Sequence, residues 1–377
     1  MTHDDRVAAL AVVFGFSVGL GVATVAIPLL ALTAGYDPAS IGFLTAIAAA
    51  TQLATRLRLP WLLGRFPDRT LIALSSVLML LGFGLLAVTT ALPAFVAAQL
   101  LQGAARGIFW TSSQAHAVRD QARPVQRLVD LNVAGNAGTL VGPALAGSLA
   151  ALGLPIALAA AALGGAGAAV GSLMLRRLPP FDRRHSAGSV DLLGREGVDV
   201  ACWASTVGGA WWSMIGSYVP VILVGAGIGP AAIGWLITGS EAAGTIALLA
   251  LRTVATRWIG MAVRVGAVTA VAALVAVALA PQLLATYVVL LLIGGAASGT
   301  VTTMAPAMAS LVAGPDEQGD ALSLSGTFRA AALFGAPAAV GGLLSIVALS
   351  PALLILAATV GLPGLFVGRR RRPAVVD

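Results

Sequence analysis

The sequence has little charge and few of the residues that build catalytic or metal centres. Only 10% of its 377 residues are charged, and it has one cysteine and three histidines, whereas an average soluble domain is about 25% charged. The single Cys202 excludes an internal disulfide. The histidines, His3, His116 and His185, are scattered along the chain, which does not favour a metal centre. We therefore expect no metal and no cofactor.

Two further absences exclude classes of mechanism. No P-loop motif occurs, and no nucleotide-binding fold fits between the apolar segments, which excludes transport driven by ATP. An intramembrane serine protease needs a nucleophile and a membrane-embedded histidine. His116 lies at the end of an apolar segment and has no G-x-S-G partner. The sequence therefore predicts that the protein is not an enzyme.

Apolar segments fill almost the whole chain. The sequence is 58% hydrophobic with a mean hydropathy of +0.95, and a helix of about 20 apolar residues crosses a bilayer. Because a helix satisfies its own backbone hydrogen bonds in lipid, we expect an all-α polytopic membrane protein. The first segment is too long for a signal peptide and is expected to be a span. The twelve predicted spans are residues 7–33, 39–62, 71–92, 94–117, 127–151, 154–176, 198–224, 230–252, 261–281, 283–312, 321–347 and 350–368.

All 22 basic residues are arginine, and most of them lie in alternate loops. They follow predicted spans two, four, six, eight and twelve, and an acidic break follows span ten. Arginine-rich loops stay in the cytoplasm, so we expect both termini to be cytoplasmic and the protein to be integral to a bacterial-type cytoplasmic membrane. The net charge of +7 follows from this topology and does not indicate that the protein binds nucleic acid. The run Arg369 to Arg372 is expected to contact lipid headgroups.

One phrase occurs twice. Residues 34–44 read AGYDPASIGFL and residues 226–236 read AGIGPAAIGWL, which are identical at seven of eleven positions and separated by 192. The same offset relates Pro28 to Pro220, and it relates Gly103 and Gly107 to a second glycine pair at 295 and 299. We interpret this as a parallel duplication of six spans. The predicted divisions are 1–176, a cytoplasmic linker at 177–197, and 198–377.

Two six-span halves joined by a basic loop resemble the major facilitator superfamily. After span two, Gly64, Asp68 and Arg69 match the start of the family's G-x-x-x-D-[RK]-x-G-[RK]-[RK] loop, whose later positions are Leu71 and Ile72 here. The resemblance implies that Asp68 and Arg69 belong to a charge cluster that stabilises the outward-facing state. A simple topological role for this loop is the alternative.

A glycine and proline motif in span five is similar to one found in the exporters of that family, especially the drug:proton antiporters. It comprises Gly138, Gly142, Pro143 and Gly147. Small residues four apart let two helices approach closely, and a proline frees the carbonyl of the residue four before it, here Thr139. The alternative is ordinary glycine packing.

Two charged residues lie deep inside predicted spans, Arg106 in span four and Glu241 in span eight. Such charges are costly in a membrane and indicate function by default. Glu241 lies on one helical face with Thr238 and Thr245, and we expect it to couple transport to protons together with Arg106. The alternative is a static ion pair, either between these two residues or with Arg329.

Polar residues recur at steps of three and four along span four, so they share one face of a helix. In the resembled family, spans one, four, seven and ten line the central cavity, which implies a substrate cavity lined from spans four, seven and ten. The predicted lining residues are Gln99, Gln102, Arg106, Trp110, Ser113, Trp211, Trp212 and Met304.

These features together predict a secondary transporter. We expect a monomer that exports a small, partly apolar organic compound in exchange for protons by alternating access, with the substrate, protons and the lipid bilayer as its partners. An importer or uniporter of a small organic solute is the alternative, and a non-transporting sensor on the same scaffold is a further one.

Overall fold

The computed structural model of the chain is helical, with short turns between the helices. It describes residues 3–119, 124–180, 191–251, 256–280, 283–313 and 317–368, and no strand occurs within these ranges. Thirteen α-helices lie in the described residues: α1 His3–Thr33, α2 Pro38–Leu63, α3 Asp68–Val88, α4 Leu92–Val118, α5 Pro124–Leu149, α6 Leu154–Ser172, α7 Val198–Ile215, α8 Tyr218–Gly225, α9 Pro230–Ala250, α10 Ile259–Leu279, α11 Leu284–Val312, α12 Gln318–Leu343 and α13 Leu349–Gly361.

Each predicted span corresponds to one helix, except that span seven is divided into α7 and α8. The break falls at Gly216 and Ser217. Pro220 explains its position, because a proline cannot donate a backbone hydrogen bond and its ring clashes with the carbonyl four residues earlier, here that of Gly216. Pro28, at the equivalent position of the first copy, lies inside the continuous helix α1. With α7 and α8 counted as one bent span, the described helices make twelve spans. The run Arg369 to Arg372 lies outside the described residues.

Not every helix is apolar enough to be identified as a span by length and composition alone. Among the described residues, seven helices pass this test, namely α1, α2, α3, α6, α9, α10 and α11, and the pair α7 and α8 makes an eighth. Helices α4, α5 and α12 are not among them. They carry several of the polar side chains that the sequence singled out, including Arg106 and Arg329.

The helices form two compact units. The first comprises Met1–Arg184 and Ile215–Thr238, and the second comprises His185–Met214 and Gly239–Asp377. In the first unit, α1 packs on α5 and α6, α3 packs on α4 and α6, and α2 packs on α4. In the second unit, α11 packs on α10 and α12, and α10 packs on α13. The predicted divisions at 1–176, 177–197 and 198–377 concern the duplicated sequence and stay a prediction.

The repeated phrase folds into two equivalent turns. Gly35 and Gly227 have φ angles of 85° and 76°, a left-handed conformation that glycine adopts without steric cost at a helix end. Pro38 and Pro230 then begin the next helices, α2 and α9. The backbone hydrogen bonds correspond at the same offset: amides 34, 35, 36 and 41 donate to carbonyls 30, 32, 31 and 37, and amides 226, 227, 228 and 233 donate to carbonyls 222, 224, 223 and 229.

The two turns differ where Asp37 in the first is replaced by Gly229 in the second. The Asp37 carboxylate accepts a hydrogen bond of 2.8 Å from the amide of Ser40, which caps the start of α2. Hydrogen bonds from the hydroxyl and the amide of Ser40 hold the pKa of Asp37 below its usual value.

The duplicated glycines make equivalent helix contacts in the two units. In the first unit, a Cβ on Gly103 or Gly107 of α4 would meet the backbone of α2 at Ala48 or Gln52. In the second unit, a Cβ on Gly295 or Gly299 of α11 would meet the backbone of α9 at Ser240 or Gly244. Both members of each contact are separated from their counterparts by 192 residues. The same small-residue packing therefore joins the same pair of helices in both copies.

Candidate functional site

The polar face of α4 is mostly buried within the first unit. Gln99, Gln102 and Ser113 are 4%, 0% and 3% exposed, and Arg106 and Trp110 are partly exposed. The ring of Trp110 packs where Gly135 of α5 has no side chain. Three of the five predicted lining residues on this helix therefore lie between helices in this structure.

Arg106 is short of hydrogen-bond partners. Its Nη2 donates to Oε1 of Gln102 at 3.4 Å, which is a long hydrogen bond. Its Nε, like Nε2 of Gln102, is buried without a hydrogen bond to any described residue. Buried polar atoms are normally paired with protein or with ordered water. This pair of side chains is therefore suited to bind water or a polar group of a solute.

A second polar face of the first unit lies on α5. The side chains of Asn132 and Asn136 are exposed, and Thr139 is partly exposed. Amides that face lipid would leave their hydrogen bonds unsatisfied, so this face is suited to water. The Thr139 hydroxyl donates to the carbonyl of Asn136 at 3.0 Å.

In the second unit, Glu241 lies on α9 with its carboxylate unpaired. No described residue forms a hydrogen bond or ion pair with that carboxylate, and Arg329 of α12 acts on it electrostatically. The Thr245 hydroxyl donates to the backbone carbonyl of Glu241 at 3.0 Å, not to its side chain.

The predicted lining residues of the second unit have different surroundings. Trp211 is 4% exposed, and its ring lies where a Cβ on Gly294 of α11 would be. Trp212 and Met304 are partly exposed. Trp211 therefore packs α7 against α11, whereas the other two side chains have free surface.

The glycine and proline motif of α5 contacts two different helices. Gly138 and Gly142 face the backbone of α1, with Gly142 against Gly21. Gly147 faces α9 at Pro230 and Gly234, a contact that also lies within the first unit. The motif thus removes side chains wherever α5 touches α1 and α9, which permits close backbone approach.

The Thr238 hydroxyl of α9 satisfies two backbone hydrogen-bonding groups of α5 next to Pro143. Its hydroxyl accepts a hydrogen bond from the amide of Ala144 at 3.0 Å and donates to the carbonyl of Leu140 at 3.0 Å. In a regular helix this amide and this carbonyl would bond each other directly. The hydroxyl therefore bridges the two backbone groups of α5 next to Pro143.

Of the loop predicted from Gly64 to Arg69, residues 64–67 lie between α2 and α3, whereas Asp68 and Arg69 begin α3. Its charged residues make contacts within the first unit. Asp68 is fully buried, and its Oδ2 is 3.2 Å from Nε of Arg119. Nη1 of Arg69 donates to the carbonyl of Leu175, after α6, at 3.1 Å. Gly64 lies in the turn that follows α2.

Three residues of this charge cluster were missed by sequence reasoning, namely Asp5, His116 and Arg119. His116 lies between Asp68 and Asp5 with both ring nitrogens close to a carboxylate oxygen. The available signal was that all three residues lie at helix ends predicted to be on the same side of the membrane. Pairing them requires knowing that the ends of α1, α3 and α4 meet, which the sequence of one chain does not show.

The chain matches the family model of the Major Facilitator Superfamily over residues 9–337. The protein belongs to the Major Facilitator Superfamily. The predicted fold class, an all-helical protein of twelve spans, is thereby confirmed, and membership identifies the protein as a membrane transporter and not an enzyme. No curated protein matches its sequence.

Several solved transporter structures share this fold. A mutant of the nucleoside transporter NupG is 13% identical with a TM-score of 0.80, covering 96% of this chain and 98% of that one. A POT family transporter in complex with a thioalcohol-conjugated peptide is 12% identical with a TM-score of 0.75, covering 96% and 95%. A bacterial homolog of the human lysosomal transporter Spinster, in an inward-facing and occupied conformation, is 14% identical with a TM-score of 0.71, covering 98% of both chains. At these identities the likeness concerns the fold alone.

Proposed function

We propose that this superfamily transporter exports a small, partly apolar organic compound in exchange for protons by alternating access. The observation that carries the proposal is Glu241, a membrane-embedded carboxylate without a hydrogen bond to any described residue. Apolar surroundings favour the protonated carboxyl, and the charge of Arg329 favours the ionised one. A change in surroundings during transport can therefore change the charge of Glu241, as proton coupling requires.

Arg106 and its helix supply the polar part of the proposed substrate site. Arg106 and Gln102 have unpartnered donors, and Trp110 of the same helix has partly exposed aromatic surface. A site with few polar groups and with aromatic surface suits a partly apolar compound. We propose that Gln99, Trp110 and Ser113 support this site by packing. In the second unit, Trp212 and Met304 have partly exposed apolar surface of their own, and Trp211 packs against α11.

Export is proposed from the α5 motif rather than from the neighbouring structures. Gly138, Gly142, Pro143 and Gly147 are similar to the motif of the drug:proton antiporters, and they lie at close contacts with α1 and α9. Close backbone contacts of α5 with its neighbours restrict the leakage of solutes beside this helix. A monomer with both termini in the cytoplasm, in a bacterial-type cytoplasmic membrane, completes the proposal.

An importer or a uniporter is the second candidate, because the fold is shared by transporters of different substrates. Accumulation of a compound panel can be compared in cells with and without the protein, each with an intact or a collapsed proton gradient. Export coupled to protons predicts lower accumulation of at least one compound class, only with the gradient intact. Faster equilibration of a compound that does not depend on the gradient would indicate a uniporter, and higher accumulation would indicate an importer.

A further inference from the structure

A buried histidine lies between two buried carboxylates where α1 and α3 begin and α4 ends. Nδ1 of His116 is 3.2 Å from Oδ2 of Asp68, and Nε2 is 3.3 Å from Oδ1 of Asp5. His116 and Asp5 are each 2% exposed, and Asp68 is fully buried. The Nε atom of Arg119 lies 3.2 Å from the same oxygen of Asp68.

The number of protons on the His116 ring follows from this geometry. An ionised carboxylate only accepts hydrogen bonds, and a neutral imidazole has a single N–H to donate. Two contacts with carboxylates therefore need both ring nitrogens protonated.

The other charged groups around the cluster have contacts of their own. The amide of Arg176 donates to Oδ1 of Asp5 at 2.9 Å and supports the position of that carboxylate. Nη2 of Arg6 lies 2.8 Å from Asp130 of α5, whose other neighbour is Arg127 at 3.8 Å. Within the described part of the chain, the charged side chains without a contact to the ring include Arg6, Arg69, Arg127, Asp130, Arg176 and, from α2, Arg56 and Arg58.

We infer that His116 is a second proton-binding site of this protein, in the first unit and separate from Glu241, and that its protonated ring ties the start of α1 to the start of α3. Loss of the proton leaves one N–H for two carboxylates, so one of the two hydrogen bonds of the ring is lost. The tie ends at Asp68, the first residue of α3. Proton release at His116 therefore loosens the helix end that carries the loop from Gly64 to Arg69.

The test uses the full chain in lipid nanodiscs with ¹⁵N-labelled histidine. The double variant His3→Gln/His185→Gln leaves His116 as the only histidine. At pH 7.5 we expect the ¹⁵N shifts of both ring nitrogens to be those of an imidazolium. The shifts of a neutral tautomer at that pH would overturn the inference. Neither result depends on a transported compound.

A matched pair of charge changes tests the role of the carboxylates. Asp5→Asn in the same background removes one contact of the ring, and it should lower the pH at which the ring titrates by about one unit or more, since an opposite charge changes proton affinity by about 1–3 units. Asp130→Asn removes the same charge from the neighbouring pair with Arg6 and should leave the titration unchanged. Equal effects of the two variants, or no effect of Asp5→Asn, would contradict the assignment.

Discussion

Arg106 places a guanidinium inside a span without an ion pair in the described part of its unit. Lysine would keep the charge but not the planar set of donors, and glutamine would keep neither. We expect Arg106→Gln to reduce the transport rate at least about tenfold, which corresponds to about 1.4 kcal/mol, and Arg106→Lys to have an intermediate effect. The measurement is uptake into vesicles of a compound identified by the accumulation panel.

The control for Arg106 is Arg195→Gln. Arg195 forms an exposed bidentate pair with Glu317, with hydrogen bonds of 2.5 and 2.8 Å, and exposed pairs contribute little. This variant should transport at the rate of the wild type. Equal transport by Arg106→Gln and Arg195→Gln would remove Arg106 from the proposed site.

Thr238 has a narrower role, which is to satisfy two backbone groups of α5 next to Pro143. Thr238→Val keeps the shape but removes both hydrogen bonds to Leu140 and Ala144, so those backbone groups are left unpaired or must bond each other. The expected cost is about 1–3 kcal/mol, measured as a lower melting temperature, together with slower transport. Thr238→Ser keeps the hydroxyl and should behave like the wild type. If the two variants lose stability and activity equally, the hydroxyl bridge has no role.

At the scale of helices, the duplicated glycine contacts make a paired prediction. A Cβ at Gly103 would meet the carbonyl of Ala48, and one at Gly295 would meet Ser240. Gly103→Ala and Gly295→Ala should each destabilise the protein by about 1–3 kcal/mol, because neither helix can move without disturbing its neighbours. Thermal unfolding in detergent measures both.

Two other helical glycines provide the control. Gly84 of α3 and Gly326 of α12 face open space, so that an added methyl group would meet no other atom within 4 Å. Alanine at either position should be neutral or stabilise by up to about 1 kcal/mol, because alanine favours the helix. Destabilisation by all four substitutions alike would show that helix packing at the duplicated glycines is not specific.

The helices and their turns could be predicted from the sequence because their signals are local. Pro38 and Pro230, each three residues after a left-handed glycine, marked both helix starts, and the offset of 192 related Gly295 to Gly103. The break at Gly216 was missed. The proline signal was present, but Pro28 in the other copy lies in a continuous helix, so the proline alone did not decide the outcome.

The side chains of the candidate site were harder to predict because burial depends on which helices meet. Gln102 and Trp211 share a face with polar or aromatic neighbours, yet both are buried against adjacent helices. Asp5 and Asp68 are 63 positions apart, and their contact through His116 follows only from the packing of three helix ends. Periodicity identifies a face of a helix, but it does not identify what that face touches.

At the scale of the whole molecule, the proposed exchange requires one carboxylate that couples transport of the compound to proton movement. Glu241 has no equivalent in the first copy, where Ala49 lies at the corresponding position. The duplication therefore supplied two similar scaffolds, and the second alone carries a deep acidic residue. A transporter built this way should lose coupling, but not folding, when that one carboxylate loses its charge.

The most direct measurement is proton movement in proteoliposomes that contain the wild type, Glu241→Gln or Glu317→Gln, the last being an exposed carboxylate of the second unit. A pH gradient should drive uptake of the identified compound by the wild type and by Glu317→Gln. Glu241→Gln should exchange the compound without a gradient but should neither respond to a gradient nor move protons. Gradient-driven uptake by Glu241→Gln at the rate of the wild type would contradict the account.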